Sequence, residues 1–262
     1  MLIQANGIEM NYEISGKKNA PLVILSHSLG SSLKMWNPQM EALESHFRVL
    51  RYDIRGHGRS STPPAPYTME LLGEDAVGLL NALKVDQVHW VGLSMGGMIG
   101  QSIALNHPHR LRSLSLCDTG AIVPAEAQPI WQERIESVRQ KGMESQLQGT
   151  MERWFTPPFL SLNPPMLALI KKEFLTTPAE GYIHCCEAIR RLNTLERLRG
   201  INLPTLIIVG EDDPGMPVSA SEAMHQRIPQ SKLVVLKSAR HLSNVEQPEA
   251  FNTHLIDFLK KY

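Results

Sequence analysis

An open, mostly parallel α/β sheet flanked by helices, interrupted by an all-helical insertion, is the fold class that three observations predict. Short apolar runs alternate with amphipathic stretches over most of the 262 residues. Most of those runs are nearly continuous in apolar character, as expected of strands covered on both faces. The rhythm breaks between about residues 121 and 195, where only helical patterns punctuated by proline remain.

Taken in order, "LIQANGIEMNYEIS" reads as a hairpin whose turn is supplied by Asn6-Gly7. "PLVILSHSL", "RVLRYDIRG", "QVHWVGLS", "LRSLSLCDTG", "LPTLIIVGEDD" and "KLVVLKSARH" read as buried parallel strands ending in polar residues or glycine. Helices are predicted in "TMELLGEDAVGLLNALK", where Leu72, Ala76, Leu79 and Leu83 share a face, and in "MGGMIGQSIALNHP", "SASEAMHQRI" and "QPEAFNTHLIDFLKKY". The middle of the chain offers "PIWQERIESVRQKG", "MESQLQGTMERWF", "PPMLALIKKEFL" and "PAEGYIHCCEAIRRL", with Pro157, Pro158, Pro164, Pro165 and Pro178 as breaks. The expected organisation is a core of residues 1–120 and 196–262, with residues 121–195 forming a helical cap over the strand ends. In such sheets, functional groups collect at the carboxyl ends of the strands.

Composition narrows the function classes. Lys plus Arg equals Asp plus Glu at 26 each, so no electrostatic footprint for nucleic acid or an anionic membrane is expected. No apolar segment approaches the roughly 20 residues that span a bilayer, and no basic start followed by an apolar run marks a signal peptide. The cysteines are Cys117, Cys185 and Cys186, an odd number with two adjacent, which predicts reduced thiols and a cytoplasmic protein.

The chemistry begins at "HWVGLSMGGMIGQ". Gly92, Gly96 and Gly97 surround Ser94 on a turn between strand and helix, an arrangement that lifts a serine hydroxyl above the sheet. The spacing alone is equally compatible with a structural glycine-rich turn. A serine nucleophile needs a base, and "SARHLSNVEQP" places His241 directly after the last strand. That base needs a carboxylate, and "LIIVGEDDPGMP" offers Asp212 and Asp213 at another strand end. The order nucleophile, acid, histidine, each at a strand end, favours the triad over coincidence. Oxyanion donors would be the main-chain N–H of Met95 and one from the loop after "LVILSHSLG", at Leu29. His27 and "DIRGHGRS" (Asp53, Arg55, Gly56, Gly58, Ser60) are expected to brace loops, with no direct role for His57.

"HSLG", "DIRGHGRS", "GLSMGG", "GEDDPGMP" and "RHLSNVEQP" occur in the order found in the α/β-hydrolase superfamily, which the chain resembles from end to end. More closely, "SHSLGSSLKMWNPQM", "FRVLRYDIRGHGRSS", "RWFTPPF" and "HLSNVEQPEAF" resemble the 3-oxoadipate enol-lactonases of the β-ketoadipate route of aromatic breakdown. The resemblance implies Ser94 as nucleophile, His241 as acid and base, Asp213 three residues after Gly210 as the orienting carboxylate, and Leu29 and Met95 as oxyanion donors. It also implies hydrolysis of an enol-lactone to 3-oxoadipate without metal or organic cofactor. The substrate would be a small lactone with a free carboxylate, for which "PIWQERIESVRQ" offers Arg134 on the edge of an apolar face. Pattern alone leaves a solvent-facing arginine equally open. Trp131 and Trp154 are expected as pocket walls, with Arg153, Arg190 and Arg191 as further cation candidates. The alternatives are another carboxylesterase, a C–C hydrolase or a perhydrolase on the same scaffold, or a ligand receptor without catalysis.

Overall fold

Asn6 and Gly7 both adopt positive φ (47° and 77°), and the turn they make joins β1 (Leu2–Ala5) to β2 (Ile8–Gly16). Positive φ at both central residues gives the turn a twist that matches its strands. The computed structural model describes residues 1–64 and 66–262. After the hairpin come β3 (Leu22–Ser26), α1 (Asn37–Glu44), β4 (Arg48–Tyr52), α2 (Met69–Ala82), β5 (Val88–Leu93), α3 (Met95–Asn106) and β6 (Leu111–Cys117). Five helices follow without a named strand: α4 (Gln128–Lys141), α5 (Glu144–Trp154), α6 (Pro157–Leu162), α7 (Pro165–Leu175) and α8 (Ala179–Arg190). The chain closes with β7 (Thr205–Gly210), α9 (Val218–His225), β8 (Ser231–Leu236), α10 (Ser243–Glu246) and α11 (Pro248–Leu259).

The eight strands form one sheet in the order β1-β2-β4-β3-β5-β6-β7-β8. β1 and β2 run antiparallel to their neighbours, and β3 to β8 are mutually parallel. Because β4 and β5 lie on opposite sides of β3, the loops after β3 and β5 diverge and leave a crevice at the carboxyl edge. The central strands β3, β5 and β7 are buried at every position, consistent with helices on both faces. β8 departs from the expectation of a strand covered on both faces. It is the edge strand, and although "KLVVL" is apolar in sequence, Val235 is 40% exposed. α1 is a further addition to the sequence reading; its eight residues bury only Gln39 and Leu43, too few for a periodic signal.

The helical insertion is tied to the sheet at its neck. Thr194 N–H donates to the Ala121 carbonyl (2.7 Å), and Thr194 Oγ1 donates to Gln101 Oε1 (2.6 Å). Gln101 Nε2 in turn donates to the Gly120 carbonyl (2.9 Å), and Ile122 pairs with Asn193 in a single β-bridge. Farther along, Gly181 at the start of α8 abuts Gly56 so closely that a Cβ on either would overlap the other's backbone.

Candidate active site

Ser94 occupies the turn between β5 and α3 with φ 55° and ψ −116°, a conformation costing a non-glycine residue on the order of 1–3 kcal/mol. The surroundings over-determine it. Ser94 N–H donates to the Cys117 carbonyl (2.8 Å), while its own carbonyl accepts from Gly97 N–H (2.9 Å), Met98 N–H (3.1 Å) and Thr119 Oγ1 (2.7 Å). A Cβ at Gly92 would overlap the Gly96 carbonyl, and one at Gly96 would overlap the Ser26 carbonyl, so the sharp strand-to-helix turn requires glycine at both.

His241 follows β8 and Asp213 follows β7. His241 Nδ1–H donates to Asp213 Oδ2 at 2.7 Å, which leaves Nε2 available. Asp213 is buried, and its other oxygen accepts the Gly215 and Met216 N–H groups at 2.8 and 3.0 Å. The neighbouring Asp212 is exposed, so burial and hydrogen bonding single out Asp213 of the pair. Burial alone would lower the His241 pKa, but the Asp213 charge and hydrogen bond leave it above the ordinary 6.5. Among the described residues no hydrogen bond joins Ser94 to His241; such contacts commonly tighten only when substrate is bound.

Ser94, His241 and Asp213 line one cavity of about 530 Å³ at the carboxyl ends of the strands, and α4, α5, α7 and α8 also contribute to its lining. Leu29 also lines it, and Met95 is the first residue of α3. Among the described residues neither the Leu29 nor the Met95 N–H has an acceptor, whereas the N–H groups of Ser28, Gly30 and Ser94 do. The Leu29 loop is stitched by two histidines. His27 Nδ1–H donates to the Ser28 carbonyl (2.7 Å), and its Nε2 accepts Ile54 N–H (2.9 Å). His57 Nε2 accepts Gly30 N–H (2.9 Å). Burial drives the two pKa values down to about 4 and about 3, so both stay neutral and brace loops, as the sequence suggests.

Arg134, Trp131 and Trp154 all line the cavity, and Arg153 joins them. The Arg134 guanidinium lies 4.4 Å from the Trp131 ring centroid. Arg153 donates to Thr150 Oγ1 (2.8 Å), and burial together with the nearby Arg134 lowers its pKa to about 10. Among the described residues neither guanidinium forms an ion pair. Two guanidiniums without carboxylate partners thus stand together beside apolar walls, an arrangement with the chemistry to hold an organic anion. Arg190 and Arg191, the other cation candidates, lie elsewhere. Arg190 is taken up by Glu187 (3.2 Å) and Gln132 (2.6 Å), and Arg191 lies 3.9 Å from Glu187.

Sequence reasoning passed over Asp118, at the end of β6 with φ 45°. Its carboxylate accepts Gly210 N–H (2.8 Å) and Ser243 Oγ–H (2.5 Å). Burial first, then the Asp213 charge, push its pKa up to about 8. Its strand-end position was the available signal.

Residues 21–248 match the family model described as the alpha/beta hydrolase fold. The chain belongs to the α/β-hydrolase family. This hydrolase is 38% identical over 259 residues to 3-oxoadipate enol-lactonase 2 of Acinetobacter baylyi, spanning 99% of this chain and 96% of that one. The solved enol-lactonase from Burkholderia xenovorans LB400 superposes with a TM-score of 0.96 at 39% identity, covering 99% of this chain and 100% of that chain. The thermophilic esterase from Thermogutta terrifontis reaches a TM-score of 0.93 at 31% identity, with 100% and 98% covered. Among the described residues no helix is long and apolar enough to cross a membrane, and the three cysteines are free and buried.

Proposed function

We propose that this hydrolase opens the lactone ring of 3-oxoadipate enol-lactone with water, as a cytoplasmic step of aromatic catabolism. The observation that carries the reading is the pair of guanidiniums without carboxylate partners, Arg134 and Arg153, in the same apolar cavity as the serine, histidine and aspartate. Similarity to enol-lactonases over 99% of the chain supports it. Residues 121–195 act as a cap in this reading, and the arginines hold the substrate's free carboxylate while Trp131 and Trp154 wall the ring.

Ser94 Oγ attacks the lactone carbonyl as His241 Nε2 takes its proton. Asp213 holds the imidazole tautomer and stabilises the imidazolium. The oxyanion is received by the Leu29 and Met95 N–H groups, which have no other acceptor among the described residues. Collapse breaks the ring C–O bond, and His241 returns its proton to the enol oxygen, which tautomerises to the ketone while the acyl group stays on Ser94. His241 then deprotonates a water that releases the second carboxylate and regenerates the serine.

The test follows ring opening of the enol-lactone spectroscopically beside simple neutral esters. Ser94→Ala should lower kcat by about 10⁴-fold or more, because the three groups act as a unit. Arg134→Ala and Arg153→Ala should raise KM for the carboxylate-bearing lactone while leaving neutral esters little affected. An equal effect on both substrates removes the arginines from the carboxylate role, and rapid ester turnover without lactone turnover makes the protein a simple carboxylesterase.

A further inference from the structure

The residues on either side of His241 are each bonded to the insertion. Leu242 N–H donates to the Trp154 carbonyl at 3.1 Å. The Arg240 guanidinium donates to the carbonyls of Glu152 and Phe155, the latter at 3.5 Å. Glu246, at the end of α10, joins the two segments a third way. Its Oε2 accepts Arg240 N–H at 2.6 Å, and its Oε1 accepts both Thr156 N–H (2.8 Å) and Thr156 Oγ1–H (2.6 Å). One carboxylate thus takes three donors, and charge-assisted bonds of this kind are short and strong. The segment it grips is the one whose Arg153 and Trp154 wall the cavity.

We infer that Glu246 is a positioning residue, joining segment 152–156 of the insertion to the loop that carries His241, so that the insertion sets where the imidazole stands. This rests on the reading of His241 as the base. A serine and its base must meet within a few tenths of an ångström, and small misplacement of a catalytic group lowers turnover steeply. The sheet fixes this loop through β8 and through Asp212 N–H, which donates to the Ala239 carbonyl at 2.9 Å, and the Glu246 bonds add a second hold on it from the insertion.

Glu246→Gln is the incisive variant. An amide keeps one acceptor oxygen but turns an NH₂ toward a donor, so either the Arg240 or the Thr156 arm opens. In the full-length protein, with the enol-lactone and 4-nitrophenyl acetate as substrates, kcat should fall about tenfold or more while KM moves by less than about threefold. Thr156→Val removes only the hydroxyl arm and should lower kcat in the same direction by a smaller factor. The double variant should be no slower than Glu246→Gln, because both cut the same staple. An unchanged kcat in either single variant overturns the inference, as does a loss confined to KM or a double variant whose losses multiply. If Glu246→Gln does not fold, the Thr156→Val rate alone decides. Undiminished ester hydrolysis by His241→Ala would instead remove the base reading itself. Failure on the lactone, with the staple's effect intact on the ester, would remove only the substrate reading.

Discussion

Asp118 illustrates how much a single buried carboxylate can do beside a charged pair. Its pKa of about 8 against an ordinary 3.8 means that the folded protein holds a proton there which the unfolded chain has released. Stability contributed by that proton is therefore lost as pH rises from 3.8 through about 8. The amide introduced by Asp118→Asn titrates nothing; it can still accept from Gly210, and its NH₂ can donate to Ser243 Oγ once that hydroxyl turns to accept. The thermal midpoint of that variant, relative to the wild type, should accordingly rise between about pH 5 and pH 9, followed by circular dichroism. A difference that is flat across that range contradicts the bound proton. At this scale the sequence was half legible. Ser94 and His241 stood out because a strand-end position and a chemical role coincided. Only the family's spacing from Gly210 favours Asp213 over Asp212 in the sequence; the burial and two main-chain donors that separate the pair physically leave no mark in the residues themselves. Glu246 left no trace as a functional residue, because its partners are a turn ninety residues away and a main-chain N–H.

At the level of elements, the contact of Gly181 with Gly56 anchors α8 on the loop after β4. A side chain at position 181 would have to push the helix off that loop, and overpacking of this kind costs about 1–3 kcal/mol. Gly181→Ala should therefore lower stability by that amount in denaturant titrations. It should also raise KM, because Tyr182, the next residue, is a cavity wall that would move with the helix. A stability loss with unaltered KM would mean that α8 yields without disturbing the pocket. The strands were readable because apolar runs of this length have few alternatives between glycine-rich turns. Four helices of the insertion were readable from their patterns and the glycine and prolines between them, but α6 was not, because its opening Pro157 and Pro158 read as a break and its six residues are too few for a period. Which of their faces met the sheet was not readable either, because Gly56 and Gly181 carry no hydrophobic signal. The exposed flank of β8 was hidden for the opposite reason, since Leu233 and Val235 are apolar without being fully buried.

For the molecule as a whole, acid should be the weak side. His27, His57 and His89 are held neutral by burial, with pKa values of about 4, 3 and 4 against an ordinary 6.5. Below 6.5 the unfolded chain takes up those three protons while the folded chain refuses them, so stability falls with pH until the folded values are reached. Each contributes about 1.4 kcal/mol of loss per pH unit, and the proton already on Asp118 offsets one of the three. Urea midpoints should drop steadily from about pH 6.5 to pH 4.5, and a flat response would mean that the buried imidazoles are not kept neutral. The neighbouring guanidiniums of Arg134 and Arg153 have a consequence for the close of the catalytic cycle. Under the proposed reaction a monoanion enters the pocket and a dianion must leave it. Fixed positive charge in a half-enclosed, low-dielectric space holds the doubly charged species more firmly than the singly charged one. Departure, rather than bond breaking, would then govern the pace, and added salt would quicken turnover at saturating substrate by loosening that grip.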